Sequence, residues 1–251
     1  MEAWINYFAG KENTPAFIFD INKLLHRVQA VKDILTADGK RNCDLCYAMK
    51  ANPFLVSPLR EAVDKFEVCS PGELSICIDQ RVDSKKVVFS GVNKGKDEIK
   101  AALEYGVGIF TVESERQLEL LQQCAREEGR TIPVILRVTS GNQFGLDWEL
   151  VRQVILRREE MSGLDIRGIQ YYSGTQKKQE KAAGEIQTLC GYASQLREAG
   201  YRMEILEYGP GLGVDYFGAG EEDSLSLPIR KTASNRLTYA FSIMTFRDKF
   251  F

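Results

Sequence analysis

The stretch Asp44-Leu45-Cys46-Tyr47-Ala48-Met49-Lys50-Ala51-Asn52-Pro53, residues 44–53, decides how this chain is read. It is a short apolar strand that stops at a lysine and is broken by Asn52-Pro53. Strand side chains alternate faces with period two, so Cys46, Ala48 and Lys50 share one face. The two small neighbours leave room there for a bulky group beside the amine. Two readings of Lys50 follow. Either the side chain snorkels from the strand end into water, or partial desolvation lowers its pKa and the neutral amine attacks a carbonyl to form a Schiff base.

Outward from this strand the chain alternates. Before it, residues 16–20 read as a strand, and Asp20 caps a helix whose apolar stripe is Leu24, Val28, Val31 and Leu35. His26, the single histidine, lies off that stripe and reads as an exposed helix residue. After it, residues 57–64 read as a helix and 66–70 as a strand. Ser70, Pro71 and Glu73 then form a helix start, with cap, first-turn proline and a carboxylate favoured by the dipole. Strands follow at 87–90, 109–112, 133–138, 166–172 and 203–208. Helices fall at 97–105, 115–128, 150–160 and 181–199. Strict alternation implies parallel strands with right-handed crossovers. Seven such strands between Lys50 and Gly213 predict an α/β fold of the TIM (β/α)8 barrel type. No G-x-G-x-x-G follows an early strand, which argues against a dinucleotide-binding sheet. A last strand is expected at 241–246, in an atypical tail spanning 218–251. The barrel itself is expected over 14–246, after an N-terminal extension at 1–13.

A chain of 251 residues fits one barrel. Hydrophobic residues at 44% and charged residues at 27% are ordinary for a globular protein. A net charge of -2 gives no basic footprint for nucleic acid or for a membrane surface. No apolar run reaches the roughly 20 residues of a membrane span, and residues 1–13 lack the order of a signal peptide. A cytoplasmic protein is expected. Six cysteines include the pair Cys43 and Cys46, a C-x-x-C open to redox or metal use. The pair enters a strand and no second C-x-x-C follows, so small core residues in a reducing compartment are the simpler reading. No metal site is expected.

Barrel active sites lie at the C-terminal ends of the strands. The residues there are Lys50, Glu67, Ser70, Arg137, Tyr172, Ser173, Thr175, Glu207 and the loop Gly209-Pro210-Gly211-Leu212-Gly213. The loop lacks the Gly-Lys-Ser/Thr of a P-loop, yet its amides suit one phosphate group or simply a tight turn. A lysine, an aromatic ring and a phosphate nest on one face point to pyridoxal 5′-phosphate (PLP).

These residues fall in motifs that resemble the diaminopimelate and ornithine decarboxylase family, PLP enzymes built on the fold-type III, alanine-racemase-like barrel. The motifs are Tyr47 to Pro53, Phe66 to Leu74, Phe89 to Lys94, Leu136 to Val138, Phe144 to Leu146, Gly168 to Gln176 and Gly209 to Gly213, within residues 14 to 217. The resemblance implies that Lys50 is the Schiff-base lysine. Glu67 stands where the family usually has an aspartate near lysine and cofactor. Arg137 matches a position near the cofactor's hydroxyl. Tyr172 replaces a histidine that stacks on the pyridine ring; tyrosine also stacks, but without an imidazole's charge. Thr175 keeps the hydroxyl of a phosphate-contacting serine. Gly209, Gly211 and Gly213 match the phosphate loop, in which Pro210 loses an N–H.

The resemblance further implies a strand ending Glu-Pro-Gly-Arg and a C-terminal β domain that completes a partner's active site. Residues 225–251 carry no such motif, so that domain is expected to be absent. The implied activity is decarboxylation of an amino acid of the diaminopimelate, ornithine or lysine type, with a homodimer as the implied assembly. The alternative is a non-catalytic or truncated PLP-binding barrel.

Overall fold

The computed structural model describes residues 19–36, 43–213 and 243–247. The strand expected at 16–20 falls mainly outside these residues, as do the extension 1–13 and most of the tail 218–251. Asp20 does cap the first helix, α1 (Ile21–Thr36): its side chain accepts from Lys23 N at 3.0 Å. Val31 and Leu35 of its stripe are buried.

Seven parallel strands then curl in sequence order: β1 (Cys43–Ala48), β2 (Lys65–Val68), β3 (Val87–Phe89), β4 (Ile109–Val112), β5 (Ile132–Val138), β6 (Leu164–Tyr172) and β7 (Ile205–Gly209). The helices between them are α2 (Val56–Leu59), α3 (Pro71–Asp79), α4 (Lys96–Tyr105), α5 (Glu115–Glu128), α6 (Trp148–Leu156) and α7 (Gln179–Glu198). The helix expected at 57–64 is one turn only, and that at 150–160 ends early in a 3-10 turn. Ser70 and Ser114 cap α3 and α5, each accepting from the backbone N–H three residues on.

The eighth strand, β8 (Ile243–Arg247), closes the ring but corrects the expected pattern. It runs antiparallel to both β1 and β7, pairing Ile243 with Cys46 and Thr245 with Glu207. The chain enters β8 at the end where β1 and β7 finish, so it descends where a true (β/α)8 strand ascends.

Each strand serves two layers because successive side chains oppose one another. Phe66, Phe89, Phe110, Leu136 and Leu206 face outward and pack with helix residues such as Ile99, Leu121 and Val151. Cys46, Ala48, Val88, Ile109, Ile135 and Ile205 form a separate cluster that fills the barrel interior. On β6 the alternation slips. Val134 pairs with Ile166, but Ile135 pairs with Gly168, leaving Arg167 as the extra residue of a β-bulge. Ile166 and Ile169 therefore both lie in the outer layer, and Gly168, Gln170 and Tyr172 turn inward. Strict alternation counted on from Ile166 with Arg167 in the register and no bulge would turn Gln170 and Tyr172 toward the helices.

Candidate active site

Polar side chains take over from the apolar interior at the end where the parallel strands finish. Phe66 and Val68 are committed to the outer layer, so Glu67 points in and is only 3% exposed. Gln170 reaches it from β6 across the barrel, Nε2 to Oε1 at 3.4 Å. The other carboxylate oxygen, Oε2, has no hydrogen-bond partner and lies 4.0 Å from Lys50 Nζ.

Lys50 departs from the sequence reading in two respects. β1 stops at Ala48, and the lysine sits in the following 3-10 turn, Met49–Ala51. Tyr47 OH donates to Asn52 O at 3.0 Å, and Asn52 Oδ1 accepts from Phe54 N at 3.1 Å, which fixes the turn. The side chain is 54% exposed, and its Nζ lies 5.5 Å from the Tyr172 ring centroid. Its pKa is raised, where partial desolvation alone predicts a fall. Burial does pull it down, but the Glu67 carboxylate, with Cys69 and Tyr172, outweighs that pull. Glu67 itself is pushed up by burial, against Lys50, the Ser90 hydroxyl and Arg137. Cys69 beside them is pushed up to about 12, chiefly by burial, and stays a thiol.

Glu67→Gln should therefore lower the pKa of Lys50, because the carboxylate that raises it is gone. The check is the rate of acylation of Lys50 against pH, read by peptide mass. The profile should move to lower pH; an unmoved profile removes Glu67 as the group holding the lysine charged.

Arg137 is held by a residue the sequence reading did not single out. Glu113, just past β4, accepts from Arg137 Nη1 at 2.5 Å through one oxygen and from Gly91 N at 2.8 Å through the other. Its own N–H donates to Gln117 Oε1 at 2.9 Å. Arg137 Nε is buried with no hydrogen-bond partner. Lys94, also buried, donates to Gly91 O at 2.5 Å, and burial pulls its pKa down to about 8 against Glu113. The readable signal for Glu113 was its phase: it continues the inward face of Thr111.

The glycine loop lies beside Tyr172. Gly211 O accepts from Lys177 N at 2.8 Å, and Gly213 N donates to Lys177 O at 3.1 Å. A Cβ on Gly211 would meet Gly174 O at 1.9 Å, and its φ of +55° is left-handed, so glycine is required there. Thr175 is exposed on the adjoining loop. The structure thus gathers Lys50, Glu67, Arg137 and Tyr172 as one group; the glycine loop adjoins it through Gly209, the register partner of Tyr172, and Thr175 follows on the exposed loop after β6. Among the described residues no cluster of metal-ligating side chains occurs, and no helix is long and apolar enough to cross a membrane.

Comparison with known proteins bears on this arrangement. The family described as pyridoxal-dependent decarboxylase, pyridoxal binding domain, matches residues 21–244. Diaminopimelate decarboxylase of Pseudomonas aeruginosa is 32% identical over 230 residues, which cover 84% of this chain and 55% of the relative. The chain spans about half the length of the curated relatives it matches. Among solved structures, diaminopimelate decarboxylase from M. jannaschii in co-complex with L-lysine superposes with a TM-score of 0.76 at 25% identity, covering 93% of this chain and 60% of that one. Lysine/ornithine decarboxylase from Vibrio vulnificus complexed with putrescine gives 0.78 at 22% identity, covering 96% and 64%, a likeness of fold.

Proposed function

We propose, for a chain that belongs to the pyridoxal-dependent decarboxylases by its pyridoxal-binding domain, that the barrel mouth holds its cofactor at Lys50 and serves decarboxylation of a basic or dibasic amino acid. Family membership assigns pyridoxal 5′-phosphate as that cofactor. The residues present fit it. Lys50 offers an amine to the aldehyde, the Tyr172 face suits the pyridine ring, and Arg137 Nε is a buried donor without an acceptor. The narrow turn at Gly211 leaves backbone rather than side chain to meet a phosphate. When bound, the cofactor supplies an electron sink for the pair left on Cα as carboxylate departs.

The chain's own contribution begins at Nζ of Lys50. That amine must shed its proton before it can hold an aldehyde. Glu67 Oε2, 4.0 Å away and without a hydrogen-bond partner, is placed to take the proton, and its raised pKa suits it to keep one. Arg137 is kept oriented by Glu113 through Nη1, and its Nε stays a buried donor without a partner. The observation that carries the reading is this amine standing between a buried carboxylate oxygen without a hydrogen-bond partner and an aromatic face. The diaminopimelate decarboxylases among the relatives, one of them solved with L-lysine, support an amino acid of the diaminopimelate or lysine type as the substrate class.

Binding without turnover is the second reading, favoured by Pro210, which removes a donor from the glycine loop. The test is to incubate the chain with PLP, reduce with borohydride and map the peptides, then measure CO2 release from meso-diaminopimelate, L-lysine and L-ornithine. The pyridoxyl mass should fall on the peptide carrying Lys50. Its absence there ends the site assignment; label on Lys50 with no CO2 from any substrate selects binding alone.

A further inference from the structure

Lys177 lies two residues before α7, outside every residue assigned above, and is only 3% exposed on its side chain. An ammonium carries three donors, and all three are used here. Nζ donates to Glu185 Oε2 at 2.7 Å, to Ser173 Oγ at 3.0 Å and to Gly209 O at 3.3 Å. Both oxygens of Glu185 are engaged in turn: Tyr208 OH also donates to its Oε2 at 2.7 Å, and Ser173 Oγ donates to its Oε1. The ammonium also sits 5.9 Å from the Tyr172 ring centroid and 5.5 Å from that of Tyr208.

The location matters more than the pair. The backbone of Lys177 bonds Gly211 and Gly213, and the side chain bonds Gly209, so one residue grips the loop at three glycines. Its Cε lies 2.9 Å from where a Cβ of Gly211 would be. A buried ion pair adds little net stability compared with apolar side chains of the same volume. It does fix geometry, because each donor has one place to go. With every donor engaged, the ammonium has none left for a ligand.

We propose that Lys177 is a positioning residue, whose buried ammonium clamps the 209–213 loop to the end of β6 and so holds it in shape for the cofactor's phosphate. This rests on the reading that PLP is held at Lys50. Wild type, Lys177→Met and the double variant Lys177→Met/Glu185→Gln are compared by thermal midpoint and by titration with PLP and with pyridoxal, which lacks the phosphate. The single variant leaves Glu185 buried without its cation and should melt lower; the double variant should recover the midpoint. Both should lose about tenfold in PLP affinity, the worth of one lost hydrogen bond to the loop, with pyridoxal changed less than about twofold. Equal losses for the two ligands, or PLP affinity that returns with the midpoint, would overturn the proposal in favour of a purely structural pair. If wild type takes no pyridoxyl label on Lys50, the site reading itself fails. If wild type is labelled and Lys177→Met binds PLP as wild type does, the clamp alone fails.

Discussion

Gly168→Ala should cost the barrel about 3 kcal/mol or more, read as a lowered midpoint in a guanidinium titration. A Cβ at this position would stand 1.8 Å from the carbonyl oxygen of Ile205 and 2.8 Å from its carbon. Both atoms belong to the backbone of β7, and Gly168 is the register partner of Ile205. No rotamer change relieves the overlap; β6 and β7 must separate, which opens the ring of strands. Gly184 is the control. It lies within α7, nothing stands within 4 Å of a Cβ added there, and alanine at a helix interior is favoured by about 1 kcal/mol. Gly184→Ala should raise the midpoint. An unchanged midpoint for Gly168→Ala would mean that the close approach of β6 and β7 is not obligatory.

Lys50→Ala should do the opposite: leave the fold and abolish capture of the cofactor. The side chain is more than half exposed and its one close charged partner, Glu67, is 4.0 Å away. Exposed truncations of this kind change stability by about 0.5 kcal/mol or less. Glu67, relieved of the lysine, is left with a carboxyl that burial already favours in its neutral form. Borohydride should then fix no pyridoxyl group at residue 50 and none elsewhere above background, because Lys94 and Lys177 are buried and committed to other acceptors. Stoichiometric labelling of the variant at another lysine would show that the amine at 50 is not the one that holds the aldehyde.

Much of this architecture was legible before any coordinates. The seven parallel strands follow from alternating apolar runs, and Ser70 with Glu73 marks a helix start from sequence alone. What could not be read depends on partners far apart in the chain. The rise in the pKa of Lys50 comes from Glu67, a residue of the neighbouring strand, and desolvation considered alone gives the wrong sign. Glu113 acquires its meaning only when Arg137 and Gly91 arrive beside it. Lys177 looks like one of two adjacent solvated lysines in a polar loop, and only folding brings Glu185 and Gly209 around it. The direction of β8 was hidden because strand propensity carries no information about which end the chain enters.

The bulge at Arg167 has an evolutionary consequence. Removing one residue from a central strand ordinarily turns everything beyond it inside out. Deleting Arg167 would instead straighten β6 into regular register, with Ile166 still against the helices and Gln170 and Tyr172 still lining the cavity. At this one codon a shorter gene is compatible with the same chemistry, and a length difference between lineages there would say nothing about whether either has kept it.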